Sequence, residues 1–483
     1  MELRRLLDGV EILETNAPME LELSGVSYDS RAVKAGELFV AVTGFAADGH
    51  KFIPMALEKG AAAVLCERRP AADVPFIRVA STRAALAAVS ANWFGRPAEH
   101  MTMIGVTGTN GKTSITYLLK TVLERTLGAK VGLIGTIQNM IGDAVLETER
   151  TTPESYELQA LFARMLAAGC THVIMEVSSH ALALHRTDGI RFRVGIFTNL
   201  TEDHLDFHKT MTEYCDAKAQ LFRQCDTGVM NLDDLYYERI RRQADCRILT
   251  YSVRDNAADL VAKNIQLKPG RIETDVVTGN EISRAELGIP GAFSVYNALA
   301  VIEAALALGI PLHEITAALR QAKGVKGRVE VVPTPGKDYT VLIDYSHTPD
   351  SLENVLKTVR GFCKGRVIAV FGCGGDRDPF KRPVMGKIAA ELADYSVVTS
   401  DNPRTEDPNA IIEQIVAGMS GAKGRYTVIE NRVRAIGWAM EHARANDIIV
   451  LCGKGHETYQ EIGHEKRHLD EREVVASYLE SEA

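Results

Sequence analysis

Apolar and polar positions alternate along this chain in blocks that suit strands and helices in turn. A continuous apolar run ends at Val106, as in a buried parallel strand, and a glycine-rich turn follows it. Beyond the turn, apolar residues return at helical spacing, at Ile115, Leu118, Leu119, Val122 and Leu123. The pattern therefore predicts an α/β protein in which this turn joins a strand to a helix.

The turn from Gly108 to Thr113 has the residues of a phosphate-binding loop. Its backbone amides can wrap a phosphate at the positive end of the following helix. Lys112 would add a charge on the terminal phosphates, and the Thr113 hydroxyl a ligand for Mg²⁺. The usual pattern has its first glycine where this chain has Val106. The alternative is an ordinary glycine-rich turn, but the flanking strand and helix favour phosphate binding.

Residues 1–97 are predicted to form a small α/β domain. Their apolar segments suit three strands and one helix, at 38–42, 61–66, 76–79 and 53–59. Gly95-Arg96-Pro97 breaks the preceding helix and makes a plausible linker. Ser30 lies in a polar turn, where its hydroxyl either stabilises the turn or holds a phosphorylated ligand. The residues of this segment alone favour the first interpretation.

Residues 98–326 are predicted to form a second α/β domain around the phosphate-binding turn. Further strands are predicted at 131–134, 172–177 and 194–198. Glu176 stands at the end of one of them, where a carboxylate beside a P-loop strand is placed to hold Mg²⁺ on a nucleotide. The next strand leads into residues 199–206, which are rich in metal- and phosphate-binding groups. The alternative there is a helix N-terminus with Asp203 and Asp206 in its first turn.

Residues 327–483 have the clearest pattern of a doubly wound, Rossmann-like α/β domain. Strands are predicted at 340–343, 366–371, 395–399, 426–429 and 448–451. In open α/β sheets ligands bind beyond the carboxyl ends of the strands, so the loops after these strands should form one crevice. In those loops Arg377 and Arg404 suit carboxylates, and Asp401 and Glu457 suit ammonium groups. An amino acid is the simplest ligand with both groups.

Nothing in the chain resembles a serine or cysteine nucleophile triad, so the nucleophile is expected to be a substrate. A domain that binds ATP, beside a pocket for an amino acid, suggests a ligation reaction. In such a reaction ATP activates a carboxylate, and an amine then attacks it.

Composition narrows the class of protein further. The length of 483 residues favours about three domains. A formal net charge of −8 argues against non-specific nucleic-acid binding. We find no apolar run that would span a bilayer and no signal peptide, and we expect a cytoplasmic protein without membrane insertion. The 8 cysteines form no Cys-x-x-Cys pair, and His204 and His208 lack a metalloprotease motif, which argues against disulfides and zinc.

Over essentially its whole length the chain resembles the Mur ligase family. Its motifs occur in the family's order, at residues 108–113, 176–180, 199–206 and 344–349. The resemblance implies a bacterial peptidoglycan enzyme whose three domains bind a UDP-muramoyl dipeptide, ATP and an amino acid. Asp-Asn-Pro-Arg at 401–404 resembles the motif of members that add meso-diaminopimelate to UDP-N-acetylmuramoyl-L-alanyl-D-glutamate. Members that add lysine usually lack this arginine.

The resemblance also implies binding residues. The UDP-linked substrate would be held by Ser30, Thr151, Thr152, Ser178 and Arg186. ATP would be held by Gly108, Thr109, Asn110, Gly111, Lys112, Thr113, Ser114, Asn297, Arg328 and Asp344. Diaminopimelate would be held by Arg377, Asp401, Asn402, Pro403, Arg404, Gly453 and Glu457. The family's usual alanine after Asp344-Tyr345 is Ser346 here, which is a small change.

The implied catalytic residues are Lys112, Glu176, His204, Lys218 and His347. The implied metal ligands are Thr113, Glu176, His204 and Lys218. Lys218 would act as a carbamate, because reaction of its neutral amine with CO₂ gives an anion able to hold a second Mg²⁺. Without the resemblance, Lys218 reads as a solvated helix lysine.

We expect an acyl-phosphate mechanism in a monomeric enzyme. The D-glutamate carboxylate would attack the γ-phosphate of ATP, and the diaminopimelate amine would then expel phosphate. Two related alternatives are a lysine-adding Mur ligase and a folylpolyglutamate synthetase-like ligase. The second does not predict the Ser30 domain or Arg404. A GTPase switch or nucleic-acid motor would need an Asn-Lys-x-Asp motif or a basic surface, and we find neither.

Overall fold

The computed structural model describes residues 1–44, 48–71, 73–148, 150–268, 270–279, 281–322, 324–421 and 424–481, and the side chain of Asp206 lies outside this description. Two compact units make up the chain. The first consists of Met1–Tyr251, Ala257–Asp259 and Glu303–Ile310, and the second of Ser252–Asn256, Leu260–Ile302 and Pro311–Ala483. In the described part, no helix is long and apolar enough to cross a membrane.

The first unit begins with a five-stranded sheet. Its strands are β1 (Glu14–Thr15), β2 (Gly25–Ser27), β3 (Glu37–Val40), β4 (Ala63–Cys66) and β5 (Phe76–Arg78), accompanied by helices α1 (Leu3–Leu6), α2 (Ile53–Glu58) and α3 (Thr82–Trp93). The order is β1-β5-β4-β3-β2, and only the β1–β5 pair is antiparallel among the described pairs. The strands and the helix predicted in this region are confirmed, with bounds shifted by one or two residues.

The larger sheet of the first unit is built around the strand that precedes the phosphate-binding turn. Its strands are β6 (Thr102–Thr107), β7 (Val131–Ile134), β8 (Asn139–Ile141), β9 (Ala144–Leu146), β10 (His172–Glu176), β11 (Phe192–Phe197), β12 (Cys225–Asn231) and β13 (Arg247–Ser252). The order is β13-β12-β11-β6-β10-β7-β8-β9. The strands from β13 to β7 pair in parallel, and β8 and β9 form an antiparallel extension.

The helices of this part of the unit are α4 (Lys112–Leu127), α5 (Ser155–Ala167), α6 (Ser179–Ala183), α7 (Leu205–His208), α8 (Met211–Ala219) and α9 (Tyr237–Arg241). Five of the six residues of β6 are buried, because the strand lies between β10 and β11 in the middle of the sheet. The apolar residues that predicted a helix after the turn are all buried on α4. Periodicity therefore identified the buried side of this helix.

The second unit begins with an antiparallel sheet that the sequence analysis did not predict. It consists of β14 (Leu260–Lys268), β15 (Arg271–Thr278) and β16 (Glu281–Leu287). Helices α10 (Ala292–Ala307), whose residues to Ile302 belong to this unit, and α11 (Leu312–Arg320) follow. All three strands contain charged residues, at alternate positions at the start of β15 and more irregularly in β14 and β16, which weakens the apolar pattern from which strands are read.

The doubly wound fold predicted for the C-terminal region is confirmed. The strands are β17 (Glu330–Val332), β18 (Thr340–Asp344), β19 (Val367–Phe371), β20 (Tyr395–Val398), β21 (Arg425–Val428) and β22 (Ile448–Cys452), in the order β17-β18-β22-β19-β20-β21. All pairs are parallel except β17–β18. The helices are α12 (Pro349–Arg360), α13 (Lys381–Leu392), α14 (Pro408–Ala417), α15 (Arg432–Glu441) and α16 (Glu471–Ser481), and a hairpin is formed by β23 (Tyr459–Ile462) and β24 (Glu465–His468).

The burial of α4 gives a test of the fold. Leu119 has no exposed surface, whereas Leu127 in the same helix is 48% exposed. We expect Leu119→Ala to lower the free energy of unfolding by about 2–5 kcal/mol, because it leaves a cavity in the core. Leu127→Ala should lower it by less than about 1 kcal/mol. Urea unfolding measures both, and equal losses for the two variants would contradict the described packing.

Candidate active site

The turn between β6 and α4 has a shape that requires glycine. Gly108 has φ 140° and Gly111 has φ 89°, a region that side chains with a Cβ rarely adopt. A Cβ on Gly108 would also lie only 1.9 Å from the Thr198 hydroxyl oxygen. The glycines therefore let the turn pack closely against the segment that follows β11.

That segment holds the turn by hydrogen bonds. The Thr109 amide donates to the Asn199 carbonyl at 2.8 Å, and the Asn110 amide donates to the Asn199 side-chain oxygen at 3.0 Å. The Thr198 hydroxyl donates to the Asn110 carbonyl at 2.6 Å. The first turn of a helix leaves four amides without helical partners. In α4 these amides belong to the turn itself, which is the arrangement that binds phosphate.

Two lysines share one acceptor at this turn. Lys112 donates to the Gly108 carbonyl at 2.9 Å and to the Thr109 carbonyl at 2.7 Å. Lys218, on α8, donates to the same Gly108 carbonyl at 2.9 Å and lies 4.5 Å from the Tyr214 ring centroid. Lys218 is almost fully buried, and burial, followed by the nearby charge of Lys112, lowers its pKa well below the usual value. The solvated lysine suggested by the local pattern is therefore wrong.

Glu176 lies at the end of β10, beside β6, and is 1% exposed. Its Oε1 accepts from the Thr113 hydroxyl at 2.9 Å and from the Thr136 amide at 3.0 Å. Its Oε2 accepts from the Thr136 hydroxyl at 2.9 Å. The carboxylate thus joins the start of α4 to the loop after β7. Thr136 was missed by the sequence analysis, because a lone threonine after a strand has no distinctive pattern.

Residues predicted for the UDP-linked substrate continue from this carboxylate. The Thr136 and Thr151 hydroxyls are 3.0 Å apart. The Thr152 hydroxyl donates to the Glu176 carbonyl at 2.8 Å and accepts from the Ser178 amide at 3.1 Å. Hydrogen bonds therefore lead without a break from Thr113 to both predicted threonines and to Ser178.

Arg186 belongs to a buried ionic cluster in the same unit. Its Nε donates to Glu154 Oε2 at 3.2 Å, and its guanidinium donates to the Thr152 carbonyl at 3.1 Å. Arg83 donates to the same Glu154 oxygen at 3.4 Å. Burial is the main cause that lowers the pKa of Arg186. The sequence pattern did not single out Arg83 and Glu154, although Glu154 directly follows the Thr-Thr-Pro segment.

Ser30 is buried, and its hydroxyl lies 3.5 Å from the sulfur of Met55. In the described part of the chain, no hydrogen bond joins Ser30 to Thr151 or Arg186. The neighbouring Tyr28 hydroxyl donates to Glu157 on α5 at 2.8 Å. A cavity of about 460 Å³ lies beside this pair, and Arg150 and Glu154 also line it.

His204 takes a left-handed conformation with φ 53° immediately before α7. Its ring lies 4.7 Å from that of His180, and its Nε2 is 3.4 Å from an Asp203 oxygen. Its side chain is 45% exposed. The predicted first-turn role of Asp206 lies outside the described side chains. Among the described residues no cluster of histidine, cysteine or acidic side chains forms a metal site by itself.

In the second unit, Asp344 stands at the end of β18. It accepts from the Val329 amide at 2.8 Å and the Ser346 amide at 3.0 Å, and also from the Ser346 hydroxyl. Burial raises its pKa. The Arg328 guanidinium lies 5.6 Å from the Tyr345 ring centroid. Val329 and Ser346 therefore hold the Asp344 carboxylate by hydrogen bonds, and Arg328 lies beside the next residue, Tyr345.

His347 and Asn297 were also predicted to belong to the site, and they lie on different elements. His347 Nδ1 is 2.9 Å from the Tyr345 carbonyl, and burial lowers its pKa. Asn297 is buried on α10, and no hydrogen bond among the described residues joins it to Arg328 or Asp344.

The loops after β19, β20 and β22 come together, as the topology predicted. Asp401 is buried, and its carboxylate oxygens lie 3.8 Å from Lys454 and 3.8 Å from Arg432. Burial acts to raise the pKa of Asp401, but the two cations hold it below the usual value. Gly453 has φ 115°, and a Cβ there would lie 2.4 Å from an Asp401 oxygen. Glycine is therefore needed beside this carboxylate.

The Asn-Pro-Arg segment after Asp401 is tied to its surroundings. Asn402 donates to Glu457 Oε2 at 3.0 Å, and its backbone carbonyl, just before Pro403, accepts from the Gly375 amide at 2.9 Å. Arg404, with φ 51°, donates to Glu461 Oε2 at 2.9 Å and to the Gly375 carbonyl at 2.8 Å.

The neighbours of these predicted residues were not anticipated. Arg377 is exposed and donates to the Asp376 carbonyl at 3.1 Å. Arg404 and Asp401 are already paired with groups of opposite charge, so the crevice is an ionic network. The sequence pattern did not single out Lys454, Arg432 and Glu461, although the first two stand in predicted strand-end loops.

Comparison with known proteins gives three family matches. The descriptions are "Mur ligase family, catalytic domain" for residues 22–94, "Mur ligase middle domain" for 106–305 and "Mur ligase, glutamate ligase domain" for 327–455. The UDP-N-acetylmuramoyl-L-alanyl-D-glutamate--2,6-diaminopimelate ligase of Clostridium botulinum is 47% identical over 464 residues, which are 95% of each chain. The ligase of the same name from Caldanaerobacter subterraneus is 46% identical over 482 residues, 99% of each chain.

Solved structures agree with these matches. The structure of a UDP-N-acetylmuramoyl-L-alanyl-D-glutamate--2,6-diaminopimelate ligase is 31% identical, with a TM-score of 0.76, and the match covers 100% of this chain and 99% of that one. A MurF ligase from Thermotoga maritima in complex with ADP is 19% identical, with a TM-score of 0.59, over 95% of this chain and 98% of that one, and shows the fold alone. On its fold and these full-length similarities, the chain belongs to the Mur ligase family.

Proposed function

We propose that this protein is an ATP-dependent ligase that adds meso-diaminopimelate to UDP-N-acetylmuramoyl-L-alanyl-D-glutamate during peptidoglycan precursor synthesis. The observation that carries this proposal is the unbroken hydrogen bonding from Thr113 through Glu176 to Thr151, since it brings residues suited to ATP phosphates next to residues suited to the UDP-linked substrate. The names of the full-length relatives support the same reaction.

Each predicted region takes one substrate in this proposal. Residues 1–97 take part in binding the UDP-linked substrate, residues 98–326 bind ATP, and residues 327–483 bind the amino acid. We further propose that the enzyme works in the cytoplasm as a monomer, without nucleic acid.

The UDP-linked substrate is assigned to Ser30, Thr151, Thr152, Ser178 and Arg186. The buried cluster around Glu154 supports this assignment, because it fixes Arg186 next to the Thr152 carbonyl. The cavity of about 460 Å³ beside Arg150 offers room for part of a large substrate.

The ATP phosphates are assigned to the turn 108–114. Lys112 would exchange its bonds to two carbonyls of the turn for bonds to phosphate oxygens. Asn297, Arg328 and Asp344 are assigned to the adenosine. Support for this comes from the buried Asp344 carboxylate and from the Arg328 guanidinium, which lies 5.6 Å from the Tyr345 ring centroid.

Mg²⁺ fits the residues at Glu176. A carboxylate and a hydroxyl 2.9 Å apart are the oxygen donors that this hard cation prefers. Thr113, Glu176, His204 and a carbamate on Lys218 are assigned as the residues that would hold it. When bound, the ion would supply positive charge to the phosphate oxygens. Burial lowers the pKa of the Lys218 amine, which supports carbamate formation, since CO₂ reacts with an unprotonated amine.

In the first chemical step the D-glutamate carboxylate attacks the γ-phosphorus of ATP, which gives an acyl phosphate and ADP. The amine of diaminopimelate then attacks the acyl carbon, phosphate leaves, and the amine loses a proton. The chain contributes position and charge: Lys112 and the turn amides hold the phosphates, and His347 orients a phosphate or accepts a proton. No side chain becomes covalently bound to substrate.

The reaction is tested by incubating the purified chain with UDP-muramoyl dipeptide, ATP and an equal mixture of meso-diaminopimelate and lysine. We expect one ADP and one phosphate for each amide formed, with the diaminopimelate product at least tenfold in excess. Mass spectrometry of the UDP-linked products measures the ratio. A lysine product in excess would favour the lysine-adding alternative, and hydrolysis of ATP without amide would contradict ligation.

Arg404 provides a test of the amino-acid site. Arg404→Ala removes a guanidinium that pairs with carboxylates, so the KM for diaminopimelate should rise at least tenfold while the KM for ATP stays within twofold. Arg425→Ala is the matched control, because Arg425 is an exposed arginine of the same unit. Initial rates at varied substrate concentrations separate the two constants. An equal rise in both constants would contradict the assignment of Arg404.

Lys218 provides a test of carbamate formation. With ¹³C-bicarbonate, the wild-type protein should give a ¹³C carbamate signal that Lys218→Ala lacks, and this variant should lose at least 100-fold in rate. Lys34→Ala, which removes an exposed lysine of the same unit, should keep both the signal and the rate. Because a protonated amine cannot form a carbamate, the signal should decrease as the pH falls. A signal that persists in Lys218→Ala would contradict the assignment.

A further inference from the structure

Lys454 is a fully buried cation with no part in the function proposed above. It lies in the loop after β22, and its side chain has 0% exposure. Its ammonium donates to Asn402 Oδ1 at 2.8 Å and to Glu457 Oε2 at 3.1 Å, and lies 3.8 Å from an Asp401 oxygen. Burying a lysine is costly unless its charge is paired, so these contacts are needed to keep it there.

The three polar side chains named above as partners of Lys454 all belong to residues assigned to the amino-acid substrate. Asp401 and Asn402 follow β20, whereas Glu457 follows β22. A single ammonium therefore connects two of the strand-end loops that form the crevice. The ammonium donates hydrogen bonds to Asn402 and Glu457 and forms a longer ion pair with Asp401.

Lys454 also fixes which way the Asn402 amide faces. The amide oxygen accepts from Lys454 and from the Glu461 backbone amide at 2.9 Å, and the amide nitrogen donates to Glu457 Oε2. If the amide were rotated by 180°, its NH₂ group would face two other donors, the Lys454 ammonium and the Glu461 amide. Its oxygen would then face the Glu457 carboxylate. Lys454 thus holds both Asn402 and Glu457 in one arrangement.

The charges of this cluster do not balance. Counted as ionised, Asp401, Glu457 and Glu471 bring three negative charges, and Lys454 and Arg432 bring two positive charges. Arg432 is fully buried and already pairs with Glu471 at 2.8 Å. Among these ion pairs of the described residues the carboxylates outnumber Lys454 and Arg432 by one, and an ammonium group of a bound amino acid would supply a further positive charge.

We propose that Lys454 is a positioning residue for the ammonium group of the amino-acid substrate. It sets the Glu457 carboxylate and the Asn402 amide in place before the substrate arrives, and it keeps the cluster one positive charge short. This inference rests on the proposed function, because it takes the crevice of the second unit to be the amino-acid site. Lys454 itself need not touch the substrate.

The test compares Lys454→Met, which keeps an unbranched side chain one atom shorter and without the charge, with Lys454→Arg, which keeps the charge in a different shape. Lys387→Met is the matched control, since Lys387 lies on α13 of the same unit and is 67% exposed. For each protein, KM and kcat are measured with ATP, UDP-muramoyl dipeptide and diaminopimelate. Thermal unfolding shows whether each variant is folded.

We expect Lys454→Met to raise the KM for diaminopimelate at least tenfold and to leave the other two KM values within twofold. Lys454→Arg should give an intermediate KM, and Lys387→Met the wild-type values. A diaminopimelate KM within twofold of wild type, or an equal rise in all three KM values, would overturn the inference. If Lys454→Met does not fold, Lys454→Arg decides by the same two criteria. A wild-type protein that forms no amide would instead overturn the proposed function.

Discussion

The buried carboxylate of Glu176 is the constraint on which the first unit depends. A buried carboxyl group is stable only when its oxygens are hydrogen-bonded, and Thr113 and Thr136 supply three hydrogen bonds to Glu176. Those donors come from two separate elements, the start of α4 and the loop after β7. Satisfying this one group therefore fixes the phosphate-binding turn relative to the loop that continues to Thr151. The hydrogen bonds of the Glu176 side chain thus join two parts of the candidate site.

In the second unit, several buried charged groups stabilise one another by pairing. Its strand-end loops carry acids and bases that pair with one another across loops, as Arg404 does with Glu461 and Asp401 does with Arg432. Such pairs keep polar groups inside the crevice without a ligand. They also hold the loops in a defined arrangement. A site needs such an arrangement to distinguish the orientation of a small zwitterion as well as its charge.

The sequence predicted most of the parallel strands, because a strand buried on both faces is a continuous apolar run, as in β22. It did not predict β14–β16 or β23–β24, where charged side chains interrupt the pattern. At the site, the turn 108–113 and Glu176 were identifiable from residue order alone. Thr136, Glu154 and Lys454 were not, because their importance comes from partners that are distant in the sequence. Lys218 was assigned only by resemblance, since burial cannot be read from a single helix lysine.

The close contact between Gly108 and Thr198 has a consequence for inhibitor design. A compound that binds this turn at Gly108 or Gly111 contacts backbone atoms only, because glycine has no side chain. A side chain at Gly108 would have an unfavourable φ and would also collide with Thr198. A smaller residue at 198 would remove the collision but not the backbone strain at 108. A resistance mutation at Gly108 would therefore distort the turn that the enzyme itself needs.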